Sequence, residues 1–215
     1  MKLSEIAYHD FKKALLSRKI VPGDTMTQAS LAKILKTQIS PLRIAMHRLE
    51  TEGLVKILPR SGIHIVKPDL SVIRDSYHLR KIIETEAIKT YARYATDSAI
   101  DGLISKNDLV LEKLRKSGIS PEVLREADKI DKLMHRDFID ALSNPLIAQV
   151  YETNNDKIGV VRLDQPNALS PVILEEIVIE HLKILTAIKE RDPDKAGKAL
   201  VDHLDASLKR AMGIF

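Results

Sequence analysis

Apolar residues recur at helical spacing from the start of the chain. Leu3, Ala7, Phe11, Ala14 and Leu15 fall on one face of an amphipathic helix over 3–17. Val21-Pro22-Gly23-Asp24 breaks it. Thr27 is placed to cap a second, short helix with Leu31, Ile34 and Leu35 inside. After a turn over Lys36–Ile39, Ser40-Pro41 is the expected start of a third helix. Its inner face is Leu42, Ala45, Met46 and Leu49, and Gly53 suits the left-handed position just past its end. Two short β-like runs follow, Leu54–Leu58 and Ile63–Val66, joined by Pro59-Arg60-Ser61-Gly62. This order predicts a winged helix-turn-helix over 1–68, a fold that sets its third helix in a DNA major groove with the hairpin tip against the backbone or minor groove, or that serves as a protein-binding module.

Beyond Pro68 no further β pattern appears. Helical periodicity predicts helices at roughly 69–95, 97–116, 121–142, 145–163, 171–190 and 193–212. Four of these starts share one device, a capping oxygen followed by proline: Ser120-Pro121, Asn144-Pro145, Ser170-Pro171 and Asp192-Pro193. The clearest loop is 164–169. The expected fold is therefore mainly α: a winged helix-turn-helix over 1–68 and an all-α six-helix bundle over 69–215.

Composition narrows the function classes. Aromatic residues make up only 4% of the chain, so the core must be built from Leu, Ile, Val and Ala. With no cysteine, thiolate metal sites, cysteine nucleophiles and disulfides are excluded. The N-terminus lacks the apolar run of a signal peptide, and no segment approaches a membrane span, so a cytoplasmic protein is expected. Residues 1–70 carry 12 Lys/Arg against 6 Asp/Glu, while the remainder carries 22 against 24. A basic front joined to a near-neutral back suits a polyanion-binding module, although a solvated basic face gives the same count.

The chemistry-bearing residues lie in the second half. Asp131 and His135 are four apart and share a helix face. His181 stands eleven residues before Asp192 and His203 eleven after it. If the chain turns back at Asp192-Pro193, both imidazoles stand at one height, roughly 16 Å from the turn. Asp131, His135, His181 and His203 could then converge on a metal ion inside the bundle. Ordinary hydrogen-bonded core histidines would satisfy the same spacings.

The segments IVPGDTMTQASLAKIL at 20–35, SPLRIAMHRLETEGLV at 40–55 and LPRSGIHIV at 58–66 resemble the GntR family of transcription regulators. LRKIIETEAIKTYA at 79–92, with Asp131, His135, His181 and His203, resembles the ligand-binding FCD domain of its FadR subfamily. The resemblance implies a dimeric repressor or activator. Its helical domain would bind a small carboxylate, often through a divalent metal, and effector binding would change the spacing of the winged helices. It also assigns DNA contacts to Ser40, Arg43, Arg60 and His64, with Gln38 at the start of the recognition helix. The chain departs from the family at Gln38-Ile39, where Ser-Arg or Thr-Arg is usual, at Ala29, where Arg is frequent, and at Met134, where Phe is usual.

On this reading a divalent ion held by Asp131 and three neutral imidazoles has two open positions that a carboxylate can fill. Zinc or nickel suits imidazole best, and manganese is possible. Arg80 could pair a second carboxylate through its planar fork, or could instead pair Glu84 one turn along its own helix. The expected partners are a pseudo-palindromic duplex, a small carboxylate and a second copy of the chain, with no membrane. A metal-sensing regulator is the first alternative. A metal-dependent hydrolase is the second, although no separate general base, paired carboxylates or phosphate-binding glycine loop accompanies the cluster.

Overall fold

The computed structural model describes residues 1–163 and 170–214, so the loop expected over 164–169 lies outside the described residues. The chain forms two compact units. One comprises Met1–Ile73 and the end of an otherwise distal helix from Asn155 onward; the other holds Arg74–Asn154 and the C-terminal helices.

In the first unit, α1 (Leu3–Leu16), α2 (Gln28–Ile34) and α3 (Ile39–Thr51) are followed by the hairpin β2 (Val55–Leu58) and β3 (Gly62–Ile65). The Thr27 hydroxyl accepts the Ser30 N–H at 3.1 Å, which starts α2 where its sequence placed it. Helix α3 begins at Ile39, one residue before the expected Ser40-Pro41 start, with Gln38 in extended conformation before it. Pro41 then lies in the first turn, where a missing N–H leaves no bond unmade. Gly53 has φ +77° and closes the helix in the left-handed conformation foreseen for it.

A third strand, β1 (Thr25–Met26), went unseen in the sequence because two residues carry no periodicity. It pairs antiparallel with β3, so the sheet order is β1-β3-β2. Gly62, at the hairpin exit, has φ +111°, and a Cβ there would run into the Met26 carbonyl oxygen. Only glycine lets β3 lie this close to β1. The core gathers Phe11, Leu15, Leu31, Leu42, Leu49 and Ile63, together with Val160 from the distal helix.

The second unit is all-helical among the described residues. It contains α4 (Leu70–Tyr94), α5 (Asp97–Ser117), α6 (Pro121–Asp140), α7 (Pro145–Leu163), α8 (Pro171–Lys189) and α9 (Pro193–Ala211), with the ends of α4 and α7 assigned to the first unit. The cap-proline pairs act as expected: Ser120, Ser170 and Asp192 each accept an N–H three residues on. Asn144 accepts those of Leu146 and Ile147. Helix α8 packs on both α9 and α5, and α5 packs on α6. That arrangement brings the inner faces of α6, α8 and α9 together. No described helix is long and apolar enough to cross a membrane.

Candidate metal centre and nucleic-acid interface

Asp131 and His135 stand on α6, His181 on α8 and His203 on α9. One ligand-type atom from each lies within 4.8 Å of all the others. The imidazole centroids are 4.9 Å apart for His181–His203, 5.4 Å for His135–His203 and 6.1 Å for His135–His181. All three rings are buried. The registry about Asp192 does what its symmetry suggested, since α8 and α9 run antiparallel and set His181 beside His203.

The outward nitrogens explain the tautomers. His135 Nδ1 meets the Glu84 carboxylate, His203 Nδ1 meets Glu180 at 2.8 Å, and His181 Nδ1 meets the Asn107 amide oxygen at 3.2 Å. Asn107 is oriented for this because its amide nitrogen donates to the Leu103 carbonyl at 2.9 Å. A carboxylate or amide oxygen only accepts, so each Nδ1 carries the proton and donates it. Each Nε2 is left with a lone pair facing the shared centre.

All three Nε2 atoms are buried and without a hydrogen-bond partner. Buried polar atoms are seldom left so, and three aimed at one point fit a bound cation. Asp131 Oδ1 lies 3.6 and 3.3 Å from the Nε2 atoms of His135 and His181, as ion-pair contacts. Burial pushes the His203 pKa down to about 3 despite its bond to Glu180, with the neighbouring imidazoles adding to the shift. Burial also lowers that of His181, against the pull of Asp131. Neutral imidazoles are the form that can ligate.

Both supporting carboxylates are themselves fixed by arginines. Arg80 and Glu84, one turn apart on α4, form a two-point ion pair, with Nη2 to Oε2 at 3.3 Å and a shorter Nε to Oε1 contact. Both are buried, at 2% and 0% exposure. Of the two readings open for Arg80, the intrahelical pair with Glu84 is present. On α9, Arg210 grips Glu180 with bonds of 3.0 and 2.8 Å. Burial works against ionisation of Glu84 and Glu180, yet their partners outweigh it and hold each carboxyl at about 2. For Glu84 these partners are Arg80 and His135; for Glu180 they are His203 and Arg210.

Sequence reasoning identified the four ligand-type residues but missed Asn107 and Glu180 as supports, and saw Glu84 only as a partner for Arg80. Each contact joins residues 23 to 74 positions apart on different helices, a separation without a local spacing rule. Glu180 adjoins His181 in sequence, but neighbouring helix positions point about 100° apart. It therefore serves His203 instead.

In the first unit, α3 turns Leu42, Ala45, Met46 and Leu49 inward and leaves Gln38, Ser40 and Arg43 exposed. Arg43 makes no ion pair among the described residues. The acids considered for it are engaged elsewhere: Glu50 accepts the Ile57 N–H, and Glu52 binds Arg48 and Tyr8. Arg60 is exposed at the hairpin tip, with φ +65°. His64 sits within β3, its Nδ1 3.0 Å from the Thr25 hydroxyl.

A helix-turn-helix with a β-hairpin, followed by a helical domain with a buried polar centre, is the architecture of a two-domain transcription regulator. Residues 3–65 match the model for bacterial regulatory proteins of the gntR family, and residues 75–206 match the FCD domain. The chain belongs to the GntR family and carries an FCD domain. It is 26% identical to the Nta operon transcriptional regulator of Aminobacter aminovorans over 90% of this chain and 87% of that protein. It is 24% identical to the uncharacterized HTH-type transcriptional regulator YdhC of Bacillus subtilis (strain 168), over 92% of this chain and 86% of that protein. Its fold superposes on E. coli McbR/YncC with a TM-score of 0.81 at 16% identity, over 99% of this chain and 98% of the other.

Proposed function

We propose that this regulator binds a small carboxylate through a divalent metal ion held by Asp131, His135, His181 and His203, and that this binding controls its hold on DNA. The observation that carries the reading is the trio of buried Nε2 atoms beside Asp131 that make no hydrogen bond, each kept in the ligating tautomer by an acceptor on Nδ1. Zinc or nickel fits the imidazole-rich set best, with manganese a weaker fit. Once bound, the ion supplies a Lewis-acidic centre for an anionic ligand; the buried Arg80 guanidinium is already neutralised by Glu84.

The test uses protein purified without a polyhistidine tag. Elemental analysis should find one ion per chain. Calorimetric titration with mono-, di- and tricarboxylates should find at least one ligand whose binding disappears after chelation and returns with the metal. Equal carboxylate binding before and after chelation would overturn the reading. Metal-dependent DNA binding with no carboxylate response would favour the metal-sensor alternative.

For the DNA side, we assign contacts to Gln38, Ser40, Arg43, Arg60 and His64, made by a homodimer on a pseudo-palindromic site. A single winged helix buries too little surface for tight specific binding. If Arg43 contacts a phosphate, Arg43→Ala should weaken all duplexes alike and flatten the slope of log K against log salt by about one unit. If it reads a base, a loss of about 1–3 kcal/mol should be confined to the cognate site. Parent-like binding of both cognate and random DNA would remove Arg43 from the interface.

A further inference from the structure

We propose that Ile39 and Ile44 are specificity residues that read thymine methyl groups in the major groove. This rests on the assignment of α3 as the recognition helix. Gln38, which caps α3, and Ile39, Ser40, Arg43, Ile44 and His47 within it are all exposed, Ile39 beside the core stripe at the helix start and Ile44 on the far side. Two of these are large and apolar: Ile39 is 47% exposed and Ile44 60%. Within the folded chain they bury little, and isoleucine is a poorer helix former than lysine, glutamate or glutamine at a solvated position. Their surroundings suit a base edge. Ile39 precedes Arg43 by one turn and Ser40 precedes Ile44 by one turn, so each apolar group shares a stripe of the helix with a polar one.

The chemistry leaves one complement on duplex DNA. An aliphatic side chain gains nothing from a phosphate. Among major-groove base edges, the apolar feature is the C5-methyl of thymine, set beside the O4 acceptor. Isoleucine is also stiff at χ1 in a helix, so little side-chain freedom is lost on contact. Five residues separate the two side chains by about 7.5 Å along the axis and by about 140° around it, so the two meet different base pairs. The preferred half-site should therefore present two separate thymine contacts, on either strand.

The experiment selects duplexes from a randomised pool with the full-length protein, then replaces each thymine of the selected site by deoxyuridine, one at a time. This removes the methyl and keeps the hydrogen-bonding edge. Affinity should fall about fourfold at each of two positions, the effect of one buried methyl-sized group. Ile44→Ala should abolish the effect at one position and Ile39→Ala at the other, with the salt slope of the parent retained. A flat uridine scan, or alanine variants that keep the full thymine preference, would overturn the proposal while leaving Arg43-dependent binding intact. If no duplex is selected and Arg43→Ala also binds like the parent, the recognition-helix assignment fails and this proposal with it.

Discussion

His203→Ala and His181→Ala should each lose stoichiometric metal, read by elemental analysis of untagged protein after gel filtration. Each substitution removes one imidazole from a set of four ligand-type residues and leaves the helices that present the others in place. The loss should exceed the 10–100-fold weakening typical when only a supporting group is removed. Glu180→Gln provides that comparison. It keeps an oxygen near His203 Nδ1 but gives up the charge that Arg210 holds in place, so the ion should be retained and bound more weakly in chelator competition. Circular dichroism and unfolding curves separate ligand loss from misfolding, because each alanine also leaves a small cavity in a buried site. Full metal content in both histidine variants would refute the four-ligand assignment.

The convergence of the four ligand-type residues was legible in the sequence because helices impose arithmetic. Asp131 and His135 occupy one face by spacing, and the equal offsets of His181 and His203 about Asp192 become neighbours once α8 and α9 turn back. The cap-proline pairs were legible for the same reason: each is a local device whose partner lies within three residues. Strand β1 was hidden, since its identity depends on pairing with β3 across 39 residues at Thr25 and His64. The packing of Val160 into the first unit's core was hidden too. Helix α7 reads as one uninterrupted helix, and its periodicity says nothing about which core each end joins. The start of α3 was misplaced because Ser40-Pro41 imitates a cap. A proline within the first turn satisfies the same local rule as one at the first position. Asn107, Glu84 and Glu180 acquire their roles only from tertiary placement. They are the residues that turn three buried histidines into a directed site.

Glu84→Ala should cost about 3–5 kcal/mol of folding stability, the usual effect of removing one partner from a buried ion pair. Glu84 is fully buried between Arg80 and His135, so its loss strands the Arg80 guanidinium in the core and frees the His135 ring. The same pair supports the site and the fold, and a double variant separates the roles. Arg80→Met combined with Glu84→Leu replaces both charges with apolar groups of similar size, which is often neutral or stabilising. It should recover most of the stability lost in Glu84→Ala. It should not recover metal affinity, since His135 Nδ1 still lacks its acceptor. Acid supplies a further check. The Glu84 carboxyl is held at about 2, against an ordinary 4.5, so its contribution is complete above 4.5 and is lost as pH falls toward 2. The stability gap between parent and Glu84→Ala, from denaturant unfolding of metal-free protein, should narrow over that window. A gap unchanged with pH would mean that the destabilisation comes from packing and not from charge. A double variant that binds metal as tightly as the parent would show that Asp131, His181 and His203 place the ion without the Glu84–His135 bond.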